Sequence, residues 1–130
     1  MQNLVQQIST FIAIGFAASM GAMLRYGVAT LCGRFVATKF PVGTFLINMS
    51  ASLFLGWFLT FINHRVSVSD TVRLAVAVGF VGTYSTFSTF AYESNALIGE
   101  GLGIKALVYM VGSVVGGLIA VRMGIQLAKL

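Results

Sequence analysis

Four long apolar segments, separated by short polar stretches, account for almost the whole chain. They cover residues 8–31, 41–62, 71–98 and 104–125, to within a few positions. About 20 apolar residues in a helix span the hydrocarbon core of a bilayer, so each segment is long enough to cross a membrane. The pattern predicts an all-α integral membrane protein in which residues 1–130 form a single domain of four transmembrane helices.

The third segment differs from the others because polar residues fill its middle. From Gly82 to Phe90 it reads Gly-Thr-Tyr-Ser-Thr-Phe-Ser-Thr-Phe. A run of hydroxyl side chains is costly in hydrocarbon unless it faces protein or water. We therefore predict that the third helix is broken in mid-membrane and that this run lines a polar space. A kinked helix whose hydroxyls return to their own backbone is the structural alternative.

Composition agrees with a lipid environment and excludes several kinds of function. Hydrophobic residues make up 58% of the chain, charged residues only 8%, and the mean hydropathy is +0.94. The eight Lys and Arg are scattered singly, which fits lipid headgroups better than nucleic acid. The single cysteine, Cys32, and the single histidine, His64, cannot build a zinc site. No nucleophile, base and orienting group can be assembled, so we expect no enzyme.

The basic residues are divided evenly between the two ends of the predicted bundle. The end that holds both termini receives four of them: Arg65, Arg73, Arg122 and Lys129. The opposite end also receives four: Arg25, Arg34, Lys39 and Lys105. An excess of basic residues on one side normally sets orientation, so an even division predicts insertion in both directions. Two oppositely inserted copies can close a two-fold antiparallel dimer. A chance balance of sparse charges is the alternative.

Isolated polar and aromatic residues within the spans are the candidates for chemistry. Asn48 brings amide donors into the second span, where they can ligate an anion or bond another helix. Phe87 and Phe90 share a helical face, and the positive edges of their rings can meet a dehydrated anion. Lipid contact or core packing is the alternative for these rings. Glu93 and Tyr109 are expected at one membrane level, where they can form a polar pair.

Three motifs resemble the Fluc family of fluoride channels, also called CrcB proteins. Residues 21–26, Gly-Ala-Met-Leu-Arg-Tyr, are similar to that family's Gly-Ala-x-x-Arg-Tyr. Residues 43–48, Gly-Thr-Phe-Leu-Ile-Asn, are similar to its Gly-Thr-x-x-x-Asn, and residues 86–90 match its Thr-Phe-Ser-Thr-Phe. Two positions depart from the family pattern. Thr83 stands where a second glycine is usual, and Ala51 stands where a glycine often follows the asparagine by three.

The resemblance implies a dual-topology homodimer in the bacterial inner membrane that exports fluoride passively and protects the cell from its toxicity. Two antisymmetric pores would lie at the subunit interface. The implied pore residues are Asn48, Phe87, Phe90, Ser88, Thr89, Thr44, Glu93, Tyr109 and Ser113, with Arg25 in an aqueous vestibule. The resemblance also implies a structural sodium ion at the dimer interface, held by the backbone carbonyls of Gly82 and Ser85, and no organic cofactor.

Two other functions fit part of the pattern. A small dual-topology cation/proton antiporter also has four helices in about this length. Resemblance to such a transporter would place a carboxylate in the first span, and residues 8–31 contain none. A membrane scaffold without transport would use the hydroxyl run for helix packing alone. Efflux that is selective for fluoride would separate a channel from both.

Overall fold

Four long helical rods, one of them bent, make up the part of the chain that the structure describes. The structure is a computed structural model; it describes the backbone of residues 2–130 and the side chains of residues 3–130. The elements are α1 (Gln2–Phe35), α2 (Val42–His64), α3 (Asp70–Leu74), a π-helical segment (Ala75–Val81), α4 (Gly82–Tyr84), α5 (Phe87–Gly99) and α6 (Gly103–Leu127). Each rod is long and apolar enough to cross a membrane. The predicted all-α class with four apolar helices is confirmed.

The helices extend beyond the apolar segments that predict them. The first segment was expected over residues 8–31, whereas α1 covers Gln2–Phe35. Hydropathy marks the part of a helix that suits hydrocarbon, while backbone hydrogen bonding continues into the polar headgroup region. Pro41, expected to begin the second helix, instead stands one residue before it. Its carbonyl accepts the Phe45 amide at 3.0 Å and so closes the first turn of α2.

α2 and α6 run in the same direction and approach each other closely. A Cβ on Gly56 would lie 2.5 Å from the Val121 carbonyl oxygen, and one on Gly124 would overlap the Leu53 carbonyl. Glycine at both positions removes the side chain that would separate the two backbones. This contact fixes the register of the two helices that carry Asn48 and Ser113.

The α1–α2 and α5–α6 connections meet at one end of the bundle. α5 ends in a Schellman turn, with Gly101 at φ +73° and the Leu102 amide donating to the Leu97 carbonyl at 2.8 Å. The Lys39 ammonium forms an ion pair of 2.8 Å with the Glu100 carboxylate. This pair joins the two connections, which an alternating order of four rods places at the same end.

Most large apolar side chains face outward. Phe11 and Phe16 are 73% and 71% exposed, whereas Ile47 and Tyr109 are among the few large side chains that are fully buried. A soluble monomer rarely exposes continuous apolar surface of this extent. In a bilayer the same surface contacts lipid tails or another membrane helix, so the outward side chains fit the membrane-spanning fold.

The third rod is bent where the hydroxyl run begins. The π-helical segment precedes α4, and helical structure then stops at Ser85 and Thr86, whose ψ angles of 160° and 124° are extended. The Thr86 side chain caps α5 by accepting the Thr89 amide at 3.2 Å. The bend therefore lies within the glycine- and hydroxyl-rich run in which the sequence predicts it.

Thr83, which replaces a usual glycine, is accommodated within α4. Among residues 2–130 no residue other than glycine has a positive φ, so this position does not use glycine's conformational freedom. The Thr83 hydroxyl lies 2.9 Å from the Ala18 carbonyl oxygen of α1. A Cβ on Gly21 would overlap this hydroxyl. The threonine thus adds a contact between α1 and α4, in the space that Gly21 leaves open.

Candidate functional site

Asn48 satisfies the backbone of the interrupted third rod. Its Nδ2 donates to the Thr86 carbonyl at 3.1 Å, and its Oδ1 accepts the Thr86 amide at 2.9 Å. An extended residue between two helical pieces would otherwise leave both backbone groups without partners in a membrane. The amide nitrogen carries a second hydrogen, which remains available to a ligand. Asn48 therefore forms the interhelical bond considered above and still holds one free donor.

A cavity of about 280 Å³ lies beside this asparagine. Its lining consists of Asn48, Met49, Ser52, Ser85, Thr86, Phe87, Phe90, Ser113 and Val114. These residues come from α2, the interrupted stretch, the start of α5, and α6. The structure thus brings together four of the predicted pore residues, Asn48, Phe87, Phe90 and Ser113, which lie far apart in the sequence.

Ser113 presents an unused hydroxyl in this cavity. Its Oγ is buried and has no hydrogen-bond partner among the described residues. Leaving a buried hydroxyl without a partner costs about 1–3 kcal/mol, and a serine in a helix can usually avoid that cost by bonding its own backbone. A donor held in this way suits a ligand that enters the cavity and accepts its hydrogen.

Phe87 and Phe90 form a ring pair at the cavity wall. Their centroids are 5.8 Å apart and their planes are inclined by 47°. Phe90 packs inward against Tyr109 at 5.1 Å, whereas Phe87 is 79% exposed on the single chain. The edge of an aromatic ring is electropositive. The two inclined rings therefore line the cavity beside the Asn48 amide and the Ser113 hydroxyl. All of these groups are neutral, and each can attract a small anion.

Glu93, Thr44 and Tyr109 form a hydrogen-bonded cluster one helical turn away. The Thr44 hydroxyl donates to one carboxylate oxygen of Glu93 at 2.8 Å, and the Tyr109 hydroxyl donates to the other at 2.8 Å. Thr44 and Glu93 also line a second cavity, of about 170 Å³, which Cys32 borders. Two hydrogen bonds from different helices converge on one carboxyl group, so this cluster holds three helices at one level.

Ser88, Thr89 and Arg25 lie outside both cavities and outside the Glu93 cluster. Ser88 and Thr89 are exposed on the first turn of α5, and their hydroxyls lie 3.4 and 3.0 Å from the Thr86 hydroxyl. Arg25 is half-buried on α1, and no described carboxylate lies within ion-pair distance of it. The pore role of the two hydroxyls and the vestibule role of Arg25 stay predictions.

The interruption frees the backbone carbonyls of Gly82 and Ser85, which the family resemblance implies as sodium ligands. In a continuous helix the Gly82 carbonyl would accept the Thr86 amide, but that amide donates to Asn48. The Ser85 carbonyl would accept the Thr89 amide, which donates instead to the Thr86 hydroxyl. Both oxygens are thus left without their usual helical donors. Backbone carbonyls of this kind are ligands that Na⁺ accepts in membrane proteins.

Two polar residues at the site, Thr86 and Ser52, were not predicted from the sequence. Thr86 is nearly buried and joins the interruption, the cap of α5 and Asn48. Ser52 lines the 280 Å³ cavity. A signal for Ser52 is present in the sequence, because it follows Thr44 and Asn48 at intervals of four and so shares their helical face.

Comparison with known proteins decides the family. The family described as "CrcB-like protein, Camphor Resistance (CrcB)" matches residues 12–125. The chain belongs to the CrcB family. A CrcB relative named "Fluoride-specific ion channel FluC" from Chloroflexus aurantiacus is 44% identical over 122 residues, covering 94% of this chain and 97% of its own length.

Two further relatives carry similar names. "Fluoride-specific ion channel FluC 2" of Geobacillus kaustophilus is 36% identical over 119 residues, which are 92% of either chain. "Fluoride-specific ion channel FluC" of a Synechococcus strain is 35% identical over 127 residues, covering 95% of this chain and 98% of the relative. With its four apolar rods, this CrcB chain is a multi-pass membrane protein of bacterial type.

Proposed function

We infer that this chain is a fluoride-selective ion channel that lets fluoride leave the cell down its electrochemical gradient. One observation carries the conclusion. The buried hydroxyl of Ser113, unpartnered among the described residues, shares a cavity with the Asn48 amide and the rings of Phe87 and Phe90. The names of the CrcB relatives point to the same ion. Export by this route limits fluoride toxicity, and because the ion is not chemically changed the protein is no enzyme.

Conduction requires that protein groups replace the water around fluoride without holding the ion too firmly. The second amide hydrogen of Asn48 and the Ser113 hydroxyl supply two donors, and the ring edges supply weaker contacts. The Thr44 and Tyr109 hydroxyls donate to Glu93, so fluoride at their level competes with that carboxylate for the same hydrogens. All the donors are neutral, which permits release as well as entry.

Flux measurements on reconstituted protein test this function. Vesicles that contain the purified chain and are loaded with fluoride and chloride should release fluoride to an ion-selective electrode and retain chloride. Protein-free vesicles give the background. Chloride release at the same rate would contradict the proposal, and uptake of lipophilic cations driven by a pH gradient would favour an antiporter. Silence from a correctly folded protein would favour a scaffold.

We propose that two copies inserted in opposite directions form the conducting unit. Phe87 lines the cavity and yet is 79% exposed on one chain, so a second copy could complete the wall. Exposed Ser88 and Thr89 on the same turn of α5 would then meet the partner. The even division of basic residues supports opposite insertion, since neither end is favoured to remain in the cytoplasm.

The single cysteine makes the dual topology measurable. Cys32 lies near the end of α1 and borders the 170 Å³ cavity. If the two orientations are equally populated, a membrane-impermeant maleimide should label about half of the Cys32 thiols, both in sealed right-side-out vesicles and in inverted ones. A Cys32→Ser variant gives the background. Labelling of nearly all thiols in one vesicle type and none in the other would contradict opposite insertion.

We also propose a structural sodium ion at the dimer interface, bound by the Gly82 and Ser85 carbonyls. The redirected amides of Thr86 and Thr89, which leave both oxygens available, support this site. An ion that binds only the folded dimer stabilises it. Replacing sodium by N-methylglucamine should therefore lower the thermal unfolding temperature of the dimer in detergent. An identical unfolding temperature in the two buffers would argue against the ion.

A further inference from the structure

The polar residues of α2 and α6 form successive levels. The two helices run in the same direction, and residues spaced four apart lie on one face of each helix. These residues are Thr44, Asn48 and Ser52 on α2, and Tyr109, Ser113 and Gly117 on α6. Four residues of helix advance by about 6 Å. At the first level Glu93 bridges the two helices, and at the second level Asn48 and Ser113 share the 280 Å³ cavity.

The third level pairs a hydroxyl with a glycine. Ser52 lines the same cavity as Asn48 and Ser113. A Cβ added to Gly117 would lie 3.6 Å from the Ser52 Oγ and 3.7 Å from the Met49 Cε, which is ordinary contact distance, so the glycine leaves room for a methyl group beside this hydroxyl. At Gly116 the Met49 sulfur already takes up that room, since a Cβ there would lie 2.9 Å from it. Of these two glycines, Gly117 is therefore the one with room beside Ser52.

The Ser52 hydroxyl also differs from the serine two residues before it. The Ser50 hydroxyl donates to the Leu46 carbonyl at 2.8 Å, which is the usual way for a helix in hydrocarbon to satisfy a serine. Among the described side chains and backbone, Ser52 forms no such bond and borders the cavity instead. It shares this property with Ser113, whose hydroxyl is equally unused.

We propose that Ser52 is a further fluoride-contacting residue, one helical turn beyond Asn48, with Gly117 providing the room for the ion. This inference rests on the proposed function. Fluoride that leaves the Asn48 and Ser113 level meets the Ser52 hydroxyl about 6 Å farther along α2. That direction leads toward the end of the bundle where Arg65 donates to the Lys129 carbonyl at 3.3 Å. At this level the Ser52 hydroxyl supplies a hydrogen-bond donor to the ion, since Gly117 on α6 has no side chain.

Substitution of Ser52 should change flux and leave folding intact. In proteoliposomes, Ser52→Ala is expected to lower fluoride efflux about tenfold, because a hydrogen bond to an ion is removed. Ser52→Thr keeps a hydroxyl and should retain most of the flux. Ser50→Ala is the matched control, since the Ser50 hydroxyl bonds the Leu46 carbonyl and lies 2.9 Å from the Tyr84 hydroxyl, and Ser50 lines neither cavity. Gly117→Ala should also reduce efflux without altering thermal unfolding, since the added methyl fits sterically but fills the space.

A cysteine at this position separates contact with the pathway from a structural role. In a Cys32→Ser background, Ser52→Cys should become sensitive to silver ions, which bind thiolates, while the Cys32→Ser parent should not. Wild-type flux through Ser52→Ala, or a Ser52→Cys variant that silver leaves unaffected, would overturn this inference alone. A wild-type protein that carries no fluoride would overturn it together with the proposed function.

Discussion

Asn48→Asp is expected to abolish fluoride flux, with a loss of at least about a hundredfold. Aspartate keeps the oxygen that accepts the Thr86 amide but replaces the nitrogen that donates to the Thr86 carbonyl. The same change removes the free donor that faces the cavity. A carboxylate about 4 Å from the ion adds repulsion on the order of 4 kcal/mol at an effective dielectric constant near 20. Efflux recorded by fluoride electrode from matched proteoliposomes measures the loss.

The control for this variant makes the same chemical change outside the cavity. Asn63 is exposed at the end of α2, and Asn63→Asp should leave fluoride efflux close to wild type. Size-exclusion profiles of both variants show whether the fold survives. If Asn48→Asp folds and conducts at the wild-type rate, the asparagine is only a helix connector and the pathway does not pass beside it.

Phe87→Leu and Phe90→Leu are each expected to lower fluoride flux roughly tenfold. Leucine preserves apolar bulk but lacks the electropositive ring edge. Directional contacts between aromatic rings are worth about 0.5–1.5 kcal/mol, and a contribution of similar size to the ion would correspond to roughly tenfold in rate. The two variants should differ in stability. Phe90 packs against Tyr109 at 5.1 Å, so its replacement should also lower the thermal unfolding temperature, whereas the exposed Phe87 makes fewer contacts within the chain.

Phe87→Leu is the sharper of the two tests because it separates flux from folding. Tyr92→Leu is its matched control, since Tyr92 lies on the same helix, is 76% exposed and lines neither cavity described above. Loss of flux in Phe87→Leu with normal Tyr92→Leu assigns the effect to the cavity wall. Normal fluoride flux in both phenylalanine variants would remove the rings from the pathway.

The fold class follows from the sequence because a bilayer requires about 20 apolar residues in a helix for each span. Four apolar runs of sufficient length predict four helices, and the structure contains four rods over the described residues. The exact ends of the helices cannot be predicted from hydropathy. Whether α1 stops near Leu31 or at Phe35 depends on how far the backbone stays helical among headgroups, which hydropathy does not record.

The bend in the third rod is predictable as a region but not as a geometry. Glycine and hydroxyls between Gly79 and Phe90 signal an interruption, whereas its position at Ser85 and Thr86 depends on Asn48, which lies 38 positions from Thr86 in the sequence. Such a long-range pairing leaves no local pattern. The π-helical segment likewise has no signature in its residues, all of which are apolar or glycine.

One contact of the candidate site follows from the depth of two residues in their spans. Glu93 and Tyr109 are predicted at one membrane level, and in the structure the Tyr109 hydroxyl donates to the Glu93 carboxyl group at 2.8 Å. Ser88 and Thr89, by contrast, belong to the first turn of α5, so which way they face is set by the cap at Thr86. A family resemblance gives the residue types at these positions but not the direction in which the two hydroxyls point.

The π-helical segment before the interruption sets the rotation of α4. A π turn takes in one residue more than an α turn, so Gly82–Tyr84 is rotated by roughly 100° relative to a continuous α-helix. Shortening Ala75–Val81 by one residue would restore the ordinary winding. It would also turn the Thr83 hydroxyl away from the Ala18 carbonyl oxygen, which now lies 2.9 Å from it. One surplus residue in an apolar stretch thereby aims a threonine at the backbone of α1.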